Sequence, residues 1–177
     1  MVEHRATPGF SNALIPLVRW IMPSAYVLVR CFYAWLQPSR TMAMVAVWHK
    51  KRILLVSHSY KDGYSLPGGV MQRHETPEYG AVRELFEETG IKIEPATLRL
   101  ADVSTRISRY GKRTTYLFEV RLGDAPQIRV NGWEITTGSL IDAREACILC
   151  QSADLCCYIE KSLARERKGQ VLRYNNP

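Results

Sequence analysis

Long uninterrupted apolar runs are missing from this chain. Its most apolar stretch, Ala13 to Leu36, is broken by Pro16, Arg19, Pro23 and Arg30. A spanning helix needs about 20 consecutive apolar residues, and an arginine near its centre costs about 2.5–3.5 kcal/mol on insertion scales. A clean transmembrane helix is therefore not expected. Nor is a cleavable signal peptide, because the first residues carry few positive charges. Cysteine is scarce as well. Five residues, an odd number, do not make a disulfide framework, which points to a reducing, cytoplasmic setting. Cys147 and Cys150 form a CxxC, but Cys156 and Cys157 are adjacent rather than spaced as in a zinc knuckle. The stretch reads as an apolar helix with buried free thiols, and zinc is the lesser reading. Internal repeats, low-complexity tracts and interdomain linkers are lacking too. So is an RNA-binding motif of aromatic and glycine residues, which sets nucleic acid aside as a partner.

What is present is a chain of 177 residues, a length that suits one domain with one sizeable core. Hydrophobic residues make up 46% and charged residues 23%, so a globular fold is expected rather than disorder. The net charge of +7 favours anionic partners, whether phosphorylated small molecules, nucleic acid or acidic lipid.

Residues 1–40 read as an N-terminal apolar helical segment. Pro23 and Ser24 can open a helix towards Gln37, and Pro38 closes it. That helix is apolar nearly all round, so something must cover it. The main domain or a second copy of the chain, as in a homodimer, is the first expectation. The second is a peripheral membrane contact through residues 13–37, with Arg19 and Arg30 near headgroups. Residues 41–177 read as the main domain. Met42–Trp48 and Arg52–Ser57 are β-rich runs joined by a hairpin signal at His49, Lys50 and Lys51. Lys61, Asp62 and Gly63 form a turn. Leu98–Ser108, Thr114–Leu122 and Glu134–Leu140 read as strands, and Asp142–Ala146 and Ser152–Arg167 as helices.

The chemistry lies in residues 66–91, LPGGVMQRHETPEYGAVRELFEETGI. Thr76 is a good N-cap, Pro77 suits the first helical position and Gly90 can stop the helix after Thr89. At 100° per residue, Glu84, Glu87 and Glu88 share one narrow arc, while Val82, Leu85 and Phe86 fall on another side. An acidic solvated face is the plain reading of such a cluster. Yet like charges at i, i+4 repel by a few tenths of a kcal/mol, and a divalent cation reverses that sign. Oxygen ligands suit Mg²⁺ or Mn²⁺. Arg83 stands four residues before Glu87 and can hold its carboxylate. Gly68 and Gly69 let the backbone approach a metal or phosphate, and Glu75 can add a fourth carboxylate.

Gly69, five residues, Glu75, seven residues, Arg83-Glu84-Leu85, one residue, Glu87-Glu88, one residue, Gly90-Ile91: this string resembles the box of the Nudix hydrolases at every defining position. The likeness runs more loosely from Thr41 to Glu145. It implies an α/β fold, an α/β/α sandwich with a mixed β-sheet. It also implies a metal-dependent hydrolase that cleaves a diphosphate bond in a nucleoside diphosphate linked to another moiety or in a nucleoside triphosphate. Carried over, Glu84, Glu87 and Glu88 become metal ligands, joined by the Gly68 carbonyl, and Arg83 orients a glutamate. The glutamate that would deprotonate water varies across the family and is left unassigned. The alternative is a non-catalytic Nudix-fold nucleotide-binding or regulatory module, although such modules usually have eroded glutamates. The Pro-, Trp- and Phe-rich stretch of NADH-cleaving relatives is absent, and Pro95 and Pro126 do not suit the ADP-ribose class. Arg106, Arg109 and Arg113, with Lys112, surround a strand turn and can steer an anionic, nucleotide-like substrate. Tyr64, Tyr110 and Tyr116 can stack on a base. His58 and His74 lie near the box, but lone histidines carry little weight.

Overall fold

The computed structural model describes residues 15–36, 38–150 and 152–174, without the side chains of Arg19 and residues 167–174. Ala13, Gln37 and the Arg19 side chain, all part of the expected membrane-facing segment, lie outside the described residues.

The first hairpin is the centre of the molecule. Strands β1 (Arg40–His49) and β2 (Arg52–His58) meet antiparallel at Trp48↔Ile53 and His49↔Arg52. Both are apolar through their middles, at Met42–Trp48 and Ile53–Val56, because both faces are covered there. On one face Ala43, Val45, Val47, Leu54 and Val56 pack under helix α2 (Pro77–Thr89), against its Ala81 and Leu85. On the other, Ala46, Trp48, Ile53 and Leu55 pack against α3 (Ala143–Cys150) and α4 (Ala153–Tyr174). The alternation of side chains along a strand thus builds the expected α/β/α sandwich.

The sheet is mixed. β1 runs parallel to β6 (Gly111–Leu122), which pairs antiparallel with β5 (Arg99–Ser108). β2 pairs with β3 (Tyr64–Ser65) and with β7 (Ile135–Asp142). On its other edge β1 changes partner along its length: β4 (Gly68–Val70) at Met42–Met44, then β2 at Trp48 and His49. The sheet splits between β2 and β4, and the loop 58–69 lines that opening. The two short strands β3 and β4 carry too few residues to show a period in the sequence, and only pairing defines them.

Helix α1 (Ile15–Leu36) departs from expectation. Pro23 does not open it but sits inside it. Proline's fixed φ is compatible with a helix, and the ring removes one backbone bond, that to the Arg19 carbonyl. Nor does the main domain cover α1. Tyr26 stacks on Tyr60 at 5.0 Å, Arg30 donates to Tyr110 Oη at 2.6 Å, and Arg40 lies 4.1 Å over the Tyr33 ring. The remaining surface is open, with Trp20 and Trp35 each 80% exposed. By length and composition alone α1 is long and apolar enough to cross a membrane, and none of its most apolar window is buried.

Candidate functional site

Helix α2 is fixed at both ends. The Thr76 hydroxyl accepts from Tyr79 N, and Gly90, at φ 70°, returns its N–H to the Phe86 carbonyl. Thr89 is fully buried and donates to the Leu85 carbonyl at 2.6 Å. With Ala81 and Leu85 anchored in the core, Glu84, Glu87 and Glu88 turn towards the opening in the sheet. A cavity of about 890 Å³ lies there, lined by all three.

The glutamates differ in environment. Glu87 is exposed, at 54% of its side chain, whereas Glu84 is at 16%. Glu88 is only 3% exposed, a correction to the expectation of an exposed arc. The loop at Gly68 closes over it, and the Gly68 N–H donates to Glu88 Oε2 at 3.0 Å. Burial pushes Glu88 up to about 8. The Gly68 bond opposes this, and Glu134 and Glu84 add to it. Burial also raises Glu84, against the pull of Arg83. Phe86, expected in the core, is 46% exposed.

Arg83 does more than hold Glu87. It grips Glu75 with two bonds, Nε to Oε1 at 2.9 Å and Nη2 to Oε2 at 3.0 Å. It also donates to Glu84 at 2.7 Å and Glu87 at 3.2 Å. Glu75 additionally accepts from the Gln72 N–H at 2.8 Å. Glu75 is therefore a brace for Arg83 and does not line the cavity, contrary to its expected place as a fourth carboxylate.

The fourth carboxylate comes from elsewhere. Glu134 lines the cavity beside Glu84, Glu87 and Glu88. Asn131 positions it: its Oδ1 accepts from the N–H groups of Glu134 and Ile135 at 3.1 and 2.9 Å, while its amide reaches the Glu87 carbonyl at 3.5 Å. Tyr60 donates to Glu134 Oε1 at 3.3 Å. Burial raises Glu134 above the ordinary carboxylate range. No spacing rule links Glu134 to the box, and the nearest signal in the sequence is the Asn131-Gly132 turn before a strand.

The two glycines have separate reasons. Gly68 sits at φ 146°, and a Cβ there would come 2.3 Å from the Ala43 carbonyl oxygen. A Cβ on Gly69 would lie 2.6 Å from the Glu84 carboxylate. Any side chain at Gly69 would displace a cavity carboxylate.

Of the expected cationic residues, Arg106 and Arg113 line the cavity, and Arg106 pairs with Asp154. Arg109 does not: it lies 4.8 Å over the Tyr110 ring, on the α1 side. Its position beyond the end of β5 turns it away. Lys61, which the sequence marked only as a turn residue, lines the cavity, and burial lowers its pKa. Tyr64 lines it too, Tyr116 packs against the core, and Tyr110 meets Arg30. His58 lines the cavity and is buried, and His74 is exposed outside it. The thiols are only partly as expected. Cys147, Cys150 and Cys156 are half-buried, but Cys157 is exposed and, with Cys150, lines the cavity. Burial pushes Cys147 and Cys150 up to about 12 and about 11.

The comparisons with known proteins agree with this architecture. The family model of the NUDIX domain matches residues 38–153. A MutT-like protein of Streptomyces ambofaciens is 43% identical over 56 residues, 32% of this chain and 36% of that protein. Diphosphoinositol polyphosphate phosphohydrolase 3-alpha of Mus musculus is 51% identical over 41 residues, 23% of this chain and 25% of that protein. The matched region thus spans about a third of the first relative's length and a quarter of the second's. Among solved structures, an Ap4A hydrolase binary complex from C. elegans superposes with a TM-score of 0.64 at 16% identity, covering 73% of this chain and 98% of that one, a likeness of fold. With the box intact on α2 and the family model matched across the sandwich, this chain belongs to the Nudix family.

Proposed function

We propose that the chain is a metal-dependent pyrophosphohydrolase that cleaves a diphosphate linkage in a nucleoside diphosphate derivative or nucleoside triphosphate. One observation carries this reading: Glu84, Glu87, Glu88 and Glu134 converge on one wall of a cavity that Lys61, Arg106 and Arg113 also line. Four carboxylates share this partly buried space, and Arg83 pairs with two of them, Glu84 and Glu87, while Glu88 is only 3% exposed. That donor set fits Mg²⁺ or Mn²⁺. When bound, such an ion would neutralise charge developing on the phosphate and lower the pKa of a bound water.

The chain's own residues supply the rest. Glu84, Glu87 and Glu88, with the Gly68 carbonyl, would hold the ion, and Arg83 and Glu75 lock the helix side of the cluster. Lys61, Arg106 and Arg113 would bind substrate phosphate oxygens, and Tyr64 offers an aromatic face to a base. The intact carboxylate set favours the enzyme over a non-catalytic binding module. The NUDIX match to the Mus musculus phosphohydrolase adds phosphorylated inositols to the substrates worth screening. A panel of nucleotides and phosphorylated inositols, tested with Mg²⁺ or Mn²⁺ and with a chelator, should show metal-dependent release of phosphate-bearing products. Full turnover after exhaustive metal removal would end this reading.

Residues 41–177 would form the hydrolase domain, working in the cytoplasm, and residues 1–40 an appendage. The open apolar surface of α1, which carries no acidic residue and exposes Trp20 and Trp35, suits the headgroup region of a membrane. The other occupant is a second copy of the chain. Removing residues 1–38 should abolish co-sedimentation with anionic vesicles and leave turnover intact. Unchanged vesicle binding would reject the membrane contact, and a change in solution mass alone would assign the surface to a dimer.

A further inference from the structure

We infer that His58 supplies a nitrogen ligand to a cation held by Glu88 and Glu134, giving the centre a mixed nitrogen–oxygen donor set. The inference rests on reading the carboxylate cluster as a metal centre. It goes beyond that reading by adding a donor from β2, a strand outside the box.

Three observations around His58 lead here. A ring nitrogen of His58 and carboxylate oxygens of Glu88 and Glu134 lie within 4.8 Å of one another. Among the described residues no other group of three such side chains converges in this way. His58 is also buried at 8% exposure, and its two nitrogens are treated differently. Nε2 meets Ser65 Oγ at 3.0 Å, while Nδ1 is buried without a hydrogen-bond partner. A buried polar atom left without a partner is costly, so a site that keeps one usually has a use for it. Finally, the β2–β7 register shifts between Ser57 and His58. The extra residue is Thr136 on β7, so this irregularity bends the strand that begins directly after Glu134 and lies opposite His58.

The arrangement is the one a metal-bound histidine adopts. One ring nitrogen faces the ion, and the other donates its N–H to a fixed acceptor, which sets the tautomer and the ring plane. Here Ser65 Oγ would be that acceptor and Nδ1 the ligand. The packing of His58 on Tyr60, at 5.1 Å between ring centroids, holds the ring from the side. A nitrogen donor changes the selectivity of the centre. Mg²⁺ prefers oxygen ligands and dehydrates reluctantly, whereas transition-metal ions accept imidazole more readily. The site should therefore favour Mn²⁺ over Mg²⁺ more strongly than a site of carboxylates alone.

The test uses the full chain and Mn²⁺ alone, followed by electron paramagnetic resonance. Pulsed measurements on the wild-type protein should show coupling of Mn²⁺ to a directly bound ¹⁴N nucleus. His58→Ala should remove that coupling and weaken Mn²⁺ binding about tenfold or more, with a smaller effect on Mg²⁺ measured by competition. Ser65→Ala, which keeps the ring but frees it, should weaken Mn²⁺ binding about tenfold and retain the coupling. The wild-type spectrum and the Ser65 variant decide the matter even if His58→Ala does not fold. Bound Mn²⁺ without ¹⁴N coupling, or coupling that survives in His58→Ala, would overturn the assignment of His58 and leave the carboxylate centre standing. No bound Mn²⁺ in the wild-type protein would overturn both.

Discussion

Glu88→Gln separates the electrostatics of the site from its architecture. The replacement keeps the shape and can still accept the Gly68 N–H bond, but it removes an ionisable carboxyl from a position only 3% exposed. Burial raises the Glu88 carboxyl to about 8. Because the folded pKa lies above the unfolded one, the native chain binds the extra proton, and stability falls as pH rises through the window from about 4.5 to about 8. Each pH unit in that window is worth about 1.36 kcal/mol at most. Allowing for relaxation around the charge, the loss between pH 5 and pH 7 should be about 2 kcal/mol, or about 4–8 °C in Tm for a chain of this size. In chelator, thermal melts should therefore show Tm of the wild-type protein falling by that much more than Tm of Glu88→Gln over the same pH interval. Mn²⁺ should raise Tm of the wild-type protein at pH 7 and do far less for the variant. Turnover should drop about 10²-fold or more, equivalent to about 2.7 kcal/mol of barrier. Glu78→Gln, in the first turn of the same helix and away from the cavity, is the control. Parallel Tm profiles for wild type and Glu88→Gln, or equal losses of turnover in Glu88→Gln and Glu78→Gln, would refute the reasoning.

Two further variants probe the supports of the site and of the fold. Arg83→Lys keeps the charge but loses the planar fork that spans Glu75 and Glu84, so kcat should fall about tenfold with Tm nearly unchanged, as steady-state kinetics beside thermal melts would show. Glu119 is buried between β6 and α4, where burial alone would raise its pKa. Arg99, Tyr158 and Arg165 outweigh that and hold it below the ordinary carboxylate range. Its contribution is present above the unfolded carboxylate pKa and lost as pH falls through the folded value. Glu119→Gln should thus lower stability by about 2 kcal/mol at pH 7 and by much less near pH 3, read from urea unfolding at both.

The sequence by itself determined α2 and its contents. Helix caps, proline at the first turn and the i, i+3, i+4 arc act within a few residues, so Glu84, Glu87, Glu88 and the Thr76 and Gly90 boundaries are legible from local geometry. The first hairpin and the three long strands were legible for the same reason. Burial was not, because it depends on what arrives from far along the chain. Glu88 became a buried carboxylate only when the Gly68 loop and Glu134 closed on it, and Phe86 stayed exposed because, among the described residues, no element covers that side of α2. Glu75 changed from expected ligand to brace because Arg83 could reach it from the next turns of the helix. Glu134 and His58 entered the site through pairing across β2 and β7, contacts between residues some 80 positions apart that leave no periodic trace in the sequence. For α1 the sequence told only that it is apolar. The tertiary structure decided that Tyr26, Arg30 and Tyr33 touch the domain while Trp20 and Trp35 face outward, since a hydrophobic helix packs only where complementary groups meet it.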